Sequence, residues 1–113
     1  MESRIAVHPA EGTWVVRAGG AVLGESTRAL ELVENGHEPV IYFPREDLAM
    51  AFLEPSETHT RCPFMGDATY WNIAAKSGTI RDAGWSYEEP VPSAEPIAGH
   101  IAFYPDQVAV ERV

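Results

Sequence analysis

The feature that most constrains this chain is a period-two alternation of apolar and polar residues, broken by turn residues about every eight to twelve positions, which is the pattern of an all-β domain. Trp14, Val16 and Ala18 fall on one strand face with Val15 and Arg17 on the other. Gly19-Gly20 then supplies the positive φ angles of a tight hairpin into 21–25. Leu30 and Leu32 alternate with Glu31, and Asn35-Gly36 turns the chain into Val40-Ile41-Tyr42-Phe43, a β-branched and aromatic run suited to a buried strand. Residues 59–62 read as a short strand, 63–67 as a turn, and 68–74 as a strand with Tyr70 and Trp71 on opposite faces. Ser77-Gly78 turns the chain into Ile80.

One short helix is expected, over 45–53. Pro44 has the fixed φ of a first helical position, Glu46 and Asp47 suit the positive end of the dipole, and Pro55 stops the pattern. Leu48, Ala49, Phe52 and Leu53 would be its buried stripe. The stretch 88–96, with Pro90, Pro92, Pro96 and little to bury, reads as an extended surface connection without ladder pairing. Beyond it Ile101 and Phe103 alternate with Ala102 and Tyr104, and Pro105-Asp106 turns into Val108 and Val110 as a closing hairpin. The expectation is a mainly β protein with one short helix.

At 113 residues the chain has the length of one domain spanning 1–113. Its formal charge of -9 repels phosphates, so nucleic acid and anionic membranes are poor partners. Met1-Glu2-Ser3-Arg4-Ile5 lacks the apolar run of a signal peptide, and no segment approaches the roughly 20 apolar residues of a membrane span. Cys62 is the single cysteine, which excludes an internal disulfide. A soluble cytoplasmic protein is expected, with a disulfide-free periplasmic one left open.

The middle third interleaves ionisable side chains with rings at strand ends and turns, where folds place sites. Its blocks are Val40-Ile41-Tyr42-Phe43-Pro44-Arg45-Glu46-Asp47, Cys62-Pro63-Phe64-Met65-Gly66-Asp67-Ala68-Thr69-Tyr70-Trp71, Ala83-Gly84-Trp85-Ser86-Tyr87-Glu88-Glu89-Pro90 and Ile97-Ala98-Gly99-His100-Ile101-Ala102-Phe103-Tyr104. In order and combination they resemble a bacterial family known as domain of unknown function number 427, which also carries a nucleotidyltransferase-like label. The resemblance implies a compact β-roll or β-tent-like (Mss4-like) single domain with a short helix, and no established chemistry. It also implies a lysine after the Cys-Pro-aromatic triplet in many relatives. Met65 stands there in this chain, so any role of that lysine does not carry over.

Nucleotidyl transfer wants paired carboxylates on Mg²⁺ and a backbone cradle for phosphates. The run from Gly19 to Ser26 has P-loop glycine spacing, but Glu25 stands where the phosphate-binding lysine belongs, and the segment joins strands instead of opening a helix. Glu46-Asp47 is better explained by a helix start than by a metal. His8, His37, His59 and His100 lack metal-ligand spacing, so no metal and no cofactor are expected. Ser86 lacks the second glycine and following helix of a nucleophile elbow. Cys62 is a weak catalytic candidate. Arg61 would favour its thiolate, yet consecutive strand residues point to opposite faces.

Tyr42, Arg45, Tyr70, Trp71, Trp85 and Tyr87 remain as a candidate ligand-binding set, combining flat faces, phenolic hydroxyls and one guanidinium fork. Three functional readings follow. The first is a small-molecule binding domain in which Arg45 orients an anionic group while Tyr70 and Trp85 stack on a planar ligand. The second is an enzyme using Cys62, or Tyr42 with Glu46 as an acid–base pair. The third is an interaction module or homodimer joined through β edges.

Overall fold

A computed structural model describes residues 5–113; the reading of Met1 to Arg4 lies outside the described residues. Its ten strands form three antiparallel sheets. The first has β1 (Ile5–Pro9), β4 (Leu30–Glu34) and β5 (Val40–Tyr42), in the order β1-β4-β5. The second has β10 (Ala109–Arg112), β2 (Trp14–Ala18) and β3 (Ala21–Ser26), in the order β10-β2-β3. The third runs β6-β7-β8-β9, from β6 (Leu53–Cys62), β7 (Gly66–Ala75) and β8 (Gly78–Tyr87) to β9 (Ile101–Phe103). The protein is mainly β, as its alternation dictates.

Turn chemistry sets the hairpins. Gly19 and Gly20 adopt φ of 56° and 83°, and β2 and β3 pair from Trp14 with Ser26 to Ala18 with Ala21. Gly36, at φ 82°, closes the β4–β5 hairpin, in which Leu32 faces Val40. Both hairpins match the sequence reading. The last one does not, because β10 pairs with β2, placing Val110 opposite Val16, while β9 pairs with β8. A turn signal marks where a chain reverses without naming the strand it meets.

The expected helix over 45–53 is two single 3₁₀ turns, Arg45–Asp47 and Met50–Phe52. Leu48 between them is extended, bridging Gly24, and the Ala49 N–H bonds the Leu23 carbonyl at 2.9 Å. Strand β3 thus takes the backbone groups that a continuous helix would have paired internally. The expected stripe splits accordingly: Leu48 and Leu53 are buried, and Phe52 is exposed. The 88–96 connection also differs from its reading. Its Pro92–Ile97 segment forms a 3₁₀ helix that buries Ala94 and Ile97 completely. That spacing of three is the 3₁₀ period, and it puts both side chains on one face.

The first and third sheets meet at a seam where Phe43 and Ile101 exchange two backbone hydrogen bonds of 2.9 Å. Both faces of this joined sheet are covered. One bears Phe43, Trp71, Ile101 and Phe103 within a core that also takes in Val16, Leu23 and Ile73. The other bears Tyr42, Ala68, Tyr87 and Ala102, packed with Leu32, Met65, Ala94 and Ile97. Period two therefore sorts neighbours in sequence into different environments. No helix of the described residues is long and apolar enough to cross a membrane.

Candidate functional site

The second face opens into a cavity of about 320 Å³. Leu32 and Glu34 of β4, His37 and Glu38 of the following turn, and Val40 and Tyr42 of β5 form one side. Cys62 and Met65 flank the β6–β7 turn, Tyr70 comes from β7, Trp85 and Tyr87 from β8, and Tyr104 follows β9. All four tyrosines and the single cysteine of the chain line this one space. A second cavity of about 400 Å³, with Trp14 and Phe103 in its wall, shares Glu38, Val40 and Trp85 with the first.

The rings are held against each other. Trp85 and Tyr42 lie nearly perpendicular, at 85° with centroids 6.3 Å apart, and the Trp85 Nε1–H donates to the Tyr42 hydroxyl at 3.2 Å. On its other side Trp85 meets Tyr104 at 4.5 Å and 44°. The Tyr70 hydroxyl shares a hydrogen bond of 3.0 Å with Thr60 Oγ1 and also interacts with the Tyr104 hydroxyl. Burial pushes the Tyr42 phenol up to about 12 and is the largest reason that Tyr87 and Tyr104 also lie above the usual phenol range. The Glu34 carboxylate adds to the rise at Tyr42 and Tyr87. These phenols stay protonated at neutral pH, and the Tyr42 hydroxyl, which accepts from Trp85, keeps its own proton to donate.

Arg45 and Trp71 of the expected set lie outside this cavity, because alternation places Trp71 in the opposite core. There the Arg45 guanidinium stacks 4.9 Å above the Trp71 ring and donates to Glu88 Oε2 at 2.6 Å. Trp71 Nε1–H donates to the fully buried Ser86 hydroxyl at 2.9 Å, and Ser86 in turn donates to Glu88. Ser86 thus joins an indole to an ion pair. Ser86→Ala is expected to cost about 1–3 kcal/mol, by leaving the Trp71 N–H without its acceptor. Urea titration checks this, as a lowered midpoint at unchanged slope.

The remaining candidates are separated from the cavity. Glu46 is exposed, sits 3.8 Å from Arg28 and is not in the lining that contains Tyr42. Asp47, held by Ser26 at 2.7 Å and Arg28 at 3.2 Å, has its carboxyl below the usual range chiefly through the Ser26 hydrogen bond. Arg61 pairs with Asp67 at 3.2 Å, both well exposed, while Cys62 turns into the cavity wall. His59 and His100 are not in the lining. Among the described residues, no group of three or more His, Cys, Asp or Glu side chains is gathered to hold a metal ion. The Gly19–Ser26 run lies in the β2–β3 hairpin and opens no helix.

Residues 6–113 match the family described as a domain of unknown function, DUF427, labelled NTP_transf_9. The chain belongs to this family. No curated protein matches it. In this DUF427 protein the residue at the Cys-Pro-aromatic-X position, Met65, is almost fully buried and lines the cavity. Sequence reasoning missed Tyr104, Glu34, His37 and Glu38 as lining residues. Tyr104 was signalled by its alternation with Phe103, which sets it on the face of Ala102. Glu34 at the end of β4 and the turn residues His37 and Glu38 carried no comparable signal.

Proposed function

We propose that this protein binds a small planar organic molecule in the tyrosine-walled cavity. The observation that carries the reading is the convergence of all four tyrosines and Trp85, from separate strands, on one concave space of about 320 Å³. Aromatic walls with a few fixed polar groups are the usual make-up of a small-molecule site. Trp85 and Tyr104, tilted against each other, put ring surface into the cavity wall, and Tyr42 offers a hydroxyl donor to a ligand acceptor. Arg45 has no part in this reading, since its guanidinium is engaged by Glu88 and Trp71.

Cys62 provides the test, because the only thiol of the chain is in the lining. A library of planar aromatic fragments is screened for protection of Cys62 against iodoacetamide. Binders are expected to slow alkylation about tenfold at saturation, and Tyr42→Phe is expected to weaken those with an acceptor group by several-fold, on the order of 1 kcal/mol. Fragments that bind without protecting Cys62, or a library with no binder, would remove the reading.

No observation raises pairing through a β edge above this. The outer strand β6 is long and exposed, but Pro55 and an irregularity between Pro55 and His59 interrupt its register. Such breaks discourage edge-to-edge association.

A further inference from the structure

We infer that the molecule this cavity selects carries a carbonyl group conjugated with its ring, whose oxygen takes one hydrogen bond from Tyr42 and one from Tyr87. The inference rests on the binding reading above and adds the polar group by which the ligand is recognised. Tyr42 of β5 and Tyr87 of β8 pack in the same core and line the cavity. Both are more than nine-tenths buried, at 2% and 9% exposure. The Tyr42 oxygen accepts from the Trp85 N–H, and among the described residues neither hydroxyl has an acceptor for its own proton. Tyr70 and Tyr104 differ, since their hydroxyls are engaged with each other and, at Tyr70, with Thr60.

Two buried donors left unspent in one cavity wall call for a partner from outside the chain. Among the described residues Arg45 Nε is the one sealed side-chain polar atom without a partner, so the Tyr87 hydroxyl is not sealed and opens on the cavity it lines. Burial does most to keep the Tyr87 proton in place, followed by the Tyr42 phenol and then Cys62, so the two hydroxyls and the thiol are within electrostatic reach of one another. A carbonyl oxygen presents two lone pairs in the plane of its substituents, one for each phenol. Conjugation keeps the carbonyl flat with its ring and adds negative charge to the oxygen. A hydrocarbon of the same shape would expel water from both hydroxyls and return no hydrogen bond, and a ring nitrogen, with one lone pair, would serve only one of them.

The test compares 1-indanone with 1-methyleneindane, in which a methylene group replaces the oxygen, and with quinoline. Each is titrated by calorimetry and by Cys62 protection at neutral pH. The ketone is expected to bind about tenfold more tightly than the methylene compound. Tyr42→Phe and Tyr87→Phe are each expected to weaken 1-indanone about threefold without weakening 1-methyleneindane, and to raise the infrared carbonyl stretching frequency of the bound ketone. Quinoline is expected to lose affinity in only one of the two variants. Equal binding of the ketone and the methylene compound with Cys62 protected overturns the carbonyl inference while the binding reading survives. An equal loss for both compounds in the variants, or a loss of ketone affinity in one variant only, also overturns the two-phenol clamp. If no member of the series binds or protects Cys62 at millimolar concentration, both the inference and the binding reading fall.

Discussion

Phe43→Ala is expected to lower stability by about 3–5 kcal/mol, a large part of the roughly 5–15 kcal/mol that holds a domain of this size together. Phe43 is completely buried and packs edge-on against Phe103, at 6.0 Å and 66°. Its backbone makes both hydrogen bonds of the seam with Ile101. Truncation therefore opens a void where two sheets are joined by a single residue pair, and β9, only three residues long, can do little to close it. Phe43→Leu keeps most of the volume and is expected to cost much less. Urea unfolding of the two variants measures the difference. A cost below about 1 kcal/mol for the alanine variant would show that the seam is not a centre of the core.

The second large effect is a loss of stability at alkaline pH. The Tyr42 phenol titrates at about 12 in the folded protein against 10.0 for a free phenol, and burial holds Tyr87 and Tyr104 above the usual range as well. The folded protein thus keeps protons that the unfolded chain releases. Unfolding is favoured progressively as pH rises from about 10 toward 12, and the full stability is present below that window. Two units at Tyr42 alone correspond to roughly 3 kcal/mol. Tyrosinate absorbance is expected to rise late and together with the loss of near-ultraviolet circular dichroism, and Tyr42→Phe to blunt the stability loss. Ionisation of Tyr42, Tyr87 and Tyr104 near pH 10 in a still folded protein would contradict the burial of these three phenols.

Among the site residues, the legible part followed from alternation. Tyr70 and Trp71 were expected on opposite faces, and they are: Tyr70 faces the cavity and Trp71 lies in the other core. The grouping of Trp71 with the tyrosines went against that same alternation, and the structure sets Trp71, with Arg45 stacked over its ring, outside the cavity. The short helix was misjudged for a different reason. Pro44, Glu46 and Asp47 are good helix-start residues, but a local preference of a few tenths of a kcal/mol per residue is overridden when Leu48 and Ala49 find backbone partners on β3. The Pro92–Ile97 turn was missed because the stretch 88–96 offers little to bury by composition, yet the 3₁₀ period gathers Ala94 and Ile97 on one buried face.

From its sequence alone this protein was bound to be mainly β, to reverse at Gly19-Gly20 and Asn35-Gly36, and to carry its rings on alternating faces of its strands. Those outcomes depend on interactions between near neighbours: steric limits on φ, and the two-residue pleat. Tertiary structure alone decided that β10 lies beside β2, that Phe43 and Ile101 splice two sheets, and that all four tyrosines share one cavity while Arg45 pairs with Glu88 outside it. A strand has two faces whatever its surroundings, but what covers each face depends on segments far away along the chain, and no local pattern encodes that choice.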